Sequence, residues 1–141
     1  DDPQNLYLEP NNLFVAKFIG NPVINILPVD IANGSVKGSD FEFSTSDFIP
    51  ERFKQELSDG KYLLGVRPED IHVNQDSSLF EVTVDSVELI GRERILNFKL
   101  DGEHAKSIVT IDEMINHGDV IKCSFNYPRI YLFKETGERV Y

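Results

Sequence analysis

The residues most capable of chemistry in this chain are three histidines, one cysteine and a large set of carboxylates. His72, His104 and His117 lie far apart in sequence, each in or beside a turn, so none pairs with another or with Cys123 at the spacing a metal needs. Cys123 alternates with Ile121 and Phe125, the pattern of a small core residue on a strand and not of an activated nucleophile. The carboxylates are spread along the chain as solubilising charge. No G-x-x-x-x-G-K-[ST], G-x-G-x-x-G or G-x-S-x-G occurs, so neither a phosphate-cradling loop nor a nucleophile elbow is written here. These 141 residues are therefore not expected to form an enzyme. The unusual polar stretch is Leu64-Gly65-Val66-Arg67-Pro68-Glu69-Asp70, where a strand ends in an arginine, a proline and two acids. It fits a rigid corner, with Pro68 fixing the turn and Arg67 bonding a carboxylate or carbonyl of its own sheet. It also fits a contact with another chain, since Arg suits planar recognition at interfaces.

Composition narrows the partners. The formal net charge is −10 with no basic run, which argues against nucleic acid, whose phosphates demand clustered cations. Hydrophobic residues make up 40% of the chain, enough for a globular core. One cysteine excludes an internal disulfide. No run of about 20 apolar residues is present to cross a bilayer as a helix. The chain opens at Asp1 without an initiator Met or a signal-peptide pattern, so it is expected to be part of a longer protein.

The elements that would position these residues are mostly strands. After Pro22, Val23 to Ile31 is a β-branched run, Asn33-Gly34 is a hairpin turn, and Val36, Phe41 and Phe43 continue the sheet. Tyr62 to Arg67 is a strand halted by Pro68, and Ile71 and Val73 resume it. Phe80, Val82 and Val84 alternate, then the parity slips at Asp85-Ser86, which predicts a bulge or bend. Gly91 and Asp101-Gly102 turn further hairpins around Leu96, Phe98 and Leu100. Strands follow at 108–111, 121–125 and 130–133. This predicts a mainly β fold, a closed or nearly closed OB-like barrel, with short helices plugging it. Those helices are expected at 1–9, 12–19 and 51–58, although 45–60 as a whole suggests no role. The 12–19 helix is odd. At about 100° per residue its apolar side chains, Phe14, Phe18 and Ile19 among them, surround the axis, broken only by Lys17. Such a helix must be covered on all sides, so it is expected to form a seam with a body upstream.

Four stretches also carry a family resemblance. Leu6-Tyr7-x-x-Pro10 followed by Asn12-x-Phe14-Val15-Ala16-x-Phe18-Ile19-Gly20-x-Pro22-x-x-Asn25 resembles the junction after the nucleotide-binding domain of ABC importer ATPases of the maltose, multiple-sugar and glycerol-phosphate type. Gly65-Val66-Arg67-Pro68-Glu69 resembles their G-[IV]-R-P-E motif. Val87-Glu88-x-x-Gly91-x-Glu93 and Leu132-Phe133-x-x-x-Thr136-Gly137-Glu138-Arg139 resemble two signatures of their C-terminal domain.

The resemblance implies a C-terminal regulatory domain, an OB/TOBE-type β-barrel over 22–141, with 1–21 as the junction to an absent ATPase domain. It implies no cofactor here, with ATP and Mg bound by the full-length protein. It implies a second copy as homodimer partner, transmembrane permease subunits, in some relatives a regulatory protein, and a place on the cytoplasmic face of the membrane. Phe14, Phe18, Ile19, Arg67, Pro68 and Glu69 are the interface candidates. Related TOBE domains bind oxyanions, so an oxyanion sensor is the alternative; such a site needs clustered donors, and the sequence shows no cluster beyond Arg92 and Arg94.

Overall fold

The computed structural model describes residues 24–47, 57–73, 78–110 and 114–140. The helices expected at 1–9 and 12–19 lie outside these residues, as does 51–56 of the third, while Leu57 and Ser58 are irregular. The strands are β1 (Asn25–Ala32), β2 (Ser35–Lys37), β3 (Glu42–Ser44), β4 (Gly60–Val66), β5 (Ile71–Val73), β6 (Phe80–Thr83), β7 (Ser86–Ile90), β8 (Glu93–Leu100), β9 (Glu103–Thr110), β10 (Val120–Phe125) and β11 (Tyr131–Lys134). Helical structure among the described residues is confined to 3-10 turns at Thr45–Asp47, Pro68–Asp70 and Tyr127–Arg129.

Local chemistry explains the hairpins. Asn33 and Gly34 take φ of 53° and 77°, and Asp101 and Gly102 take 55° and 78°. Two consecutive positive φ values make the type I′ turn whose twist matches that of paired strands. The registers follow, with Ala32 opposite Ser35 and Leu100 opposite Glu103.

The expectation of a closed barrel needs correction. The strands form three antiparallel sheets, ordered β11-β4-β1-β2-β3, β5-β10-β6 and β7-β8-β9, and no ladder among the described residues closes them on one another. The parity slip at Asp85-Ser86 is the crossing between two of these sheets. Val84 N–H donates to the Asp119 carbonyl at 2.8 Å, and the next amide, Asp85, donates to the Asn97 carbonyl at 2.7 Å. One peptide step thus leaves β6, paired with β10, and enters β7, paired with β8.

All three sheets nevertheless share one core. Leu27, Leu64, Ile71, Phe80, Leu96, Phe98, Cys123 and Leu132 are buried in a single cluster. Within it Phe125 meets Phe41 edge-on at 5.3 Å and Phe80 at 5.3 Å, and Phe43 meets Tyr127 at 5.1 Å. Rings offset in this way add to the area they bury.

Gly65 marks a crowded point on the opposite face of the five-stranded sheet. A Cβ there would stand 2.8 Å from Phe133 Cε2 and 3.1 Å from Ile24 Cδ1, both on buried side chains. Overpacking of this kind costs about 1–3 kcal/mol. Gly65→Ala is expected to lower the urea midpoint accordingly, and an unchanged midpoint would show that the Phe133 ring yields freely.

A second contact ties the β2–β3 loop to the β8–β9 turn. Asp40 N–H donates to Asp101 Oδ1 at 2.6 Å, and Asp101 N–H donates to Asp40 Oδ2 at 2.7 Å. Burial raises the Asp101 carboxyl above its usual 3.8, opposed by the amide bonds and reinforced by the Asp40 charge. A raised folded value means that Asp101 stabilises the protein below 3.8 and that this stability is lost as pH rises through the folded value. Asp101→Asn keeps a residue suited to positive φ and removes the titration. The variant is expected to gain melting temperature over the wild type at neutral pH, with the gap closing on acidification. A gap that stays constant with pH would refute this assignment.

Candidate functional site

The end of β4 is where the motif residues gather. Arg67 follows β4 on its outward parity and Pro68 opens a 3-10 turn closed by the Asp70 amide donating to the Arg67 carbonyl at 2.9 Å. Arg67 and Pro68 are buried and Glu69 is exposed. Register places Tyr131 of β11 opposite Gly65. The Arg67 guanidinium carbon lies 5.7 Å from the centre of the Tyr131 ring, and that of Arg139 lies 4.8 Å from the same ring. A bridge between Phe133 and Arg139 folds the tail back along β11 to bring Arg139 there. Two guanidinium groups thus share one aromatic ring, an arrangement the ring quadrupole favours. Arginines from two separate sequence motifs meet at this ring.

Behind this corner, Asp70 is buried among polar partners. Its Oδ1 accepts from Asn126 Nδ2 at 3.1 Å, its carbonyl accepts from the Asn126 amide at 2.9 Å, and Arg129 Nε approaches Oδ2 at 3.4 Å. Burial pushes its carboxyl above the usual 3.8, only partly offset by the Asn126 bond and the Arg129 charge. Asn25, the first residue of β1, points into the core. Its Nδ2 donates to the carbonyls of Val66 at 3.0 Å and Lys106 at 2.9 Å, and its Oδ1 accepts from the Lys106 amide at 2.8 Å. Ser107 Oγ donates to the Ile71 carbonyl at 2.7 Å. Side chains therefore join β9 to β1, β4 and β5 where no strand ladder does.

Phe14, Phe18 and Ile19 lie outside the described residues. The structure does place Arg67, Pro68 and Glu69 at one corner. Sequence reasoning assigned no role to Asn25, Asp70, Asn126, Arg129 or Tyr131. The detectable signal was Asn25, an amide on the same parity as Leu27, Val29 and Ile31. The Asp70, Asn126 and Arg129 set had no local signal, because 56 residues separate Asp70 from Asn126.

The chemistry-bearing residues stay apart. His72, His104 and His117 are exposed on β5, β9 and a turn, and no metal-holding group of His, Cys, Asp or Glu occurs among the described residues. Cys123 is buried, and burial pushes its thiol up to about 12. Arg92 is exposed in the β7–β8 turn, while Arg94 Nη1 is engaged with the Ile115 carbonyl at 3.3 Å. A groove of 490 Å³ on the outward face of the five-stranded sheet carries Lys37 and Lys61 against Asp30 and Glu135, so its charges compensate.

Three antiparallel sheets around one core, with the β4 corner at their junction, define a small β domain of OB-like type. The fold is similar to that of the cytoplasmic molybdate-binding protein ModG, with a TM-score of 0.55 over 78% of this chain and 95% of that one. At 12% identity this likeness concerns the fold alone. Residues 64–133, which contain the corner, match the TOBE domain family.

Its relatives are ATP-binding subunits of importers. The chain is 31% identical to the alpha-glucoside transport ATP-binding protein AglK of Rhizobium meliloti, over 96% of this chain and 39% of that protein. It is 31% identical to the xylose/arabinose import ATP-binding protein XacK of Haloferax volcanii, over 96% and 37%. It is 27% identical to the sn-glycerol-3-phosphate import ATP-binding protein UgpC of Vibrio vulnificus, over 98% and 37%. The chain thus spans less than two fifths of the length of these relatives. No helix among the described residues is long and apolar enough to cross a membrane.

Proposed function

We propose that this chain is the regulatory and dimerisation domain of the ATP-binding subunit of an ABC importer for sugars or related solutes. It works beside an ATPase domain encoded outside this sequence, on the cytoplasmic face of the membrane, beneath a pair of permease subunits. The observation that carries the reading is the near-complete alignment of this chain with under two fifths of importer ATP-binding subunits, in a sequence free of phosphate-cradling motifs. In this role the domain holds two subunits together while their ATPase domains close on ATP with Mg and open after hydrolysis. That task needs a rigid body with a self-complementary surface, the logic of a two-fold interface. Three sheets on a common core, locked at the β4 corner, support it. A regulatory protein is a further partner in this proposal.

Sedimentation equilibrium over a wide concentration range tests the reading. A reversible monomer–dimer equilibrium is expected, with no ATP hydrolysis by the chain. A strictly monomeric chain at high concentration would remove the dimerisation role. Calorimetric titration with molybdate, sulfate and phosphate is expected to give no saturable heat, and saturation would replace this reading with that of an oxyanion sensor.

A further inference from the structure

Along one line across the five-stranded sheet every strand contributes a charge, and the signs alternate. Asp30 of β1 lies opposite Lys61 of β4 and Lys37 of β2, and Lys37 lies opposite Glu42 of β3. Glu135 directly follows Lys134 of β11, which faces Tyr62, so it falls beside Lys61. The row therefore runs Glu135, Lys61, Asp30, Lys37, Glu42, and all five are exposed. Opposite charges on neighbouring strands commonly do no more than stabilise a sheet, and they do so by contact. Elsewhere in the molecule Lys106 and Glu88 close to 3.8 Å. In this row the side chains stay apart. Among the described residues none of the five forms an ion pair, and only the Glu42 side chain is hydrogen-bonded, accepting from Ser35 Oγ at 2.7 Å. Glu135, Lys61, Asp30 and Lys37 instead line the groove of about 490 Å³, a volume within the range of small-molecule sites.

We propose that this groove binds a zwitterionic α-amino acid with an apolar side chain, its carboxylate on Lys61 and its ammonium on Asp30. The alternation selects this class. Strands lie about 4.8 Å apart, so a charge of either sign has an opposite neighbour one strand away and a like one two strands away. A lone oxyanion between Lys37 and Lys61 would rest on Asp30, and a cation between Asp30 and Glu135 would rest on Lys61. An α-amino acid carries both signs on one carbon and meets a matched neighbour for each. Pro28 and Leu63 explain the apolar side chain. They lie opposite one another, two residues along each strand from Asp30 and Lys61, and so form an apolar strip on the same face beside that pair. Gly38 and Ser39 of the β2–β3 loop wall the groove, and the Asp40–Asp101 clasp holds that loop in place before any ligand arrives. The site is independent of any dimer contact and of the β4 corner. Its exposed charges make it a weak one, with a Kd on the order of millimolar.

Amide chemical-shift titration of the full 15N-labelled chain tests it, with L-leucine as the probe. Saturable shifts are expected at Asp30, Lys37 and Lys61 and in the β2–β3 loop. N-acetyl-leucine, which lacks the ammonium, and leucine amide, which lacks the carboxylate, are each expected to bind more weakly. Glycine, which lacks the apolar side chain, should also bind more weakly than leucine. Absence of saturable shifts with leucine would overturn the inference, as would saturation confined to residues away from the groove. Equal binding of either blocked leucine would do the same, and so would saturation of the groove by phosphate or maltose while leucine stays silent. Asp30→Asn and Lys61→Gln change exposed side chains and give a second reading, with melting temperature as the check on folding. Each is expected to raise the Kd for leucine about three- to fivefold, the effect of losing one exposed charge pair. An unchanged Kd in both folded variants would remove the charge row from the site and overturn the inference.

Discussion

Asn25→Ala is expected to destabilise the protein by about 3–5 kcal/mol, because each buried polar group left without a partner costs about 1–3 kcal/mol. The change removes one side chain and takes its hydrogen bond from three backbone groups, the carbonyls of Val66 and Lys106 and the amide of Lys106. Losses above about 4 kcal/mol are exceptional for a single substitution and need a named mechanism, which these lost bonds supply. Asn25→Asp distinguishes the mechanism from simple loss of volume. It keeps the size and the acceptor facing Lys106 N–H, but points a carboxylate oxygen at two carbonyls. It should therefore be at least as damaging as the alanine variant in urea unfolding. A mild effect of Asn25→Asp would show that the amide's two donated bonds are of little consequence.

The second large effect is expected at Phe98. Its ring is fully buried in β8 and its cross-strand neighbour is Ala105, also fully buried and too small to fill the space. Phe98→Ala should cost about 3–5 kcal/mol through lost burial and the cavity left behind. A domain with a total stability of about 5–15 kcal/mol would then be marginal at physiological temperature. The contrast is Leu89→Ala on β7, where the side chain is 66% exposed. A surface substitution of that kind moves stability by about 0.5 kcal/mol or less. Equal losses at Phe98 and Leu89 in urea titrations would refute the placement of the core.

These residues show why the sequence is legible in some places and silent in others. Hairpins were readable because Asn33-Gly34 and Asp101-Gly102 encode positive φ locally. Leu96, Phe98 and Leu100 declared their inward face by alternation, and all three are fully buried. Leu89 follows the same rule of period two yet is largely exposed, because alternation assigns a side chain to a face but does not say whether that face is covered. The division into three sheets was hidden for a similar reason. Pairing partners such as Val120 and Thr83 are far apart in sequence, and nothing in either strand names the other. The buried cysteine followed from its neighbours alone. At the candidate site, Arg67, Pro68 and Glu69 stood out as a local pattern, whereas the ring that receives Arg67 belongs to Tyr131 and became visible only with the β4–β11 register.

The joining of β9 to the neighbouring strands by Asn25 and Ser107 has an evolutionary consequence. A backbone ladder survives almost any sequence that keeps its strands, since every residue brings the same amide and carbonyl. A junction made by two side chains is encoded in two codons. Single substitutions at Asn25 or Ser107 are thus expected to loosen the seating of β7-β8-β9 on the rest of the molecule while the ladders within each sheet persist.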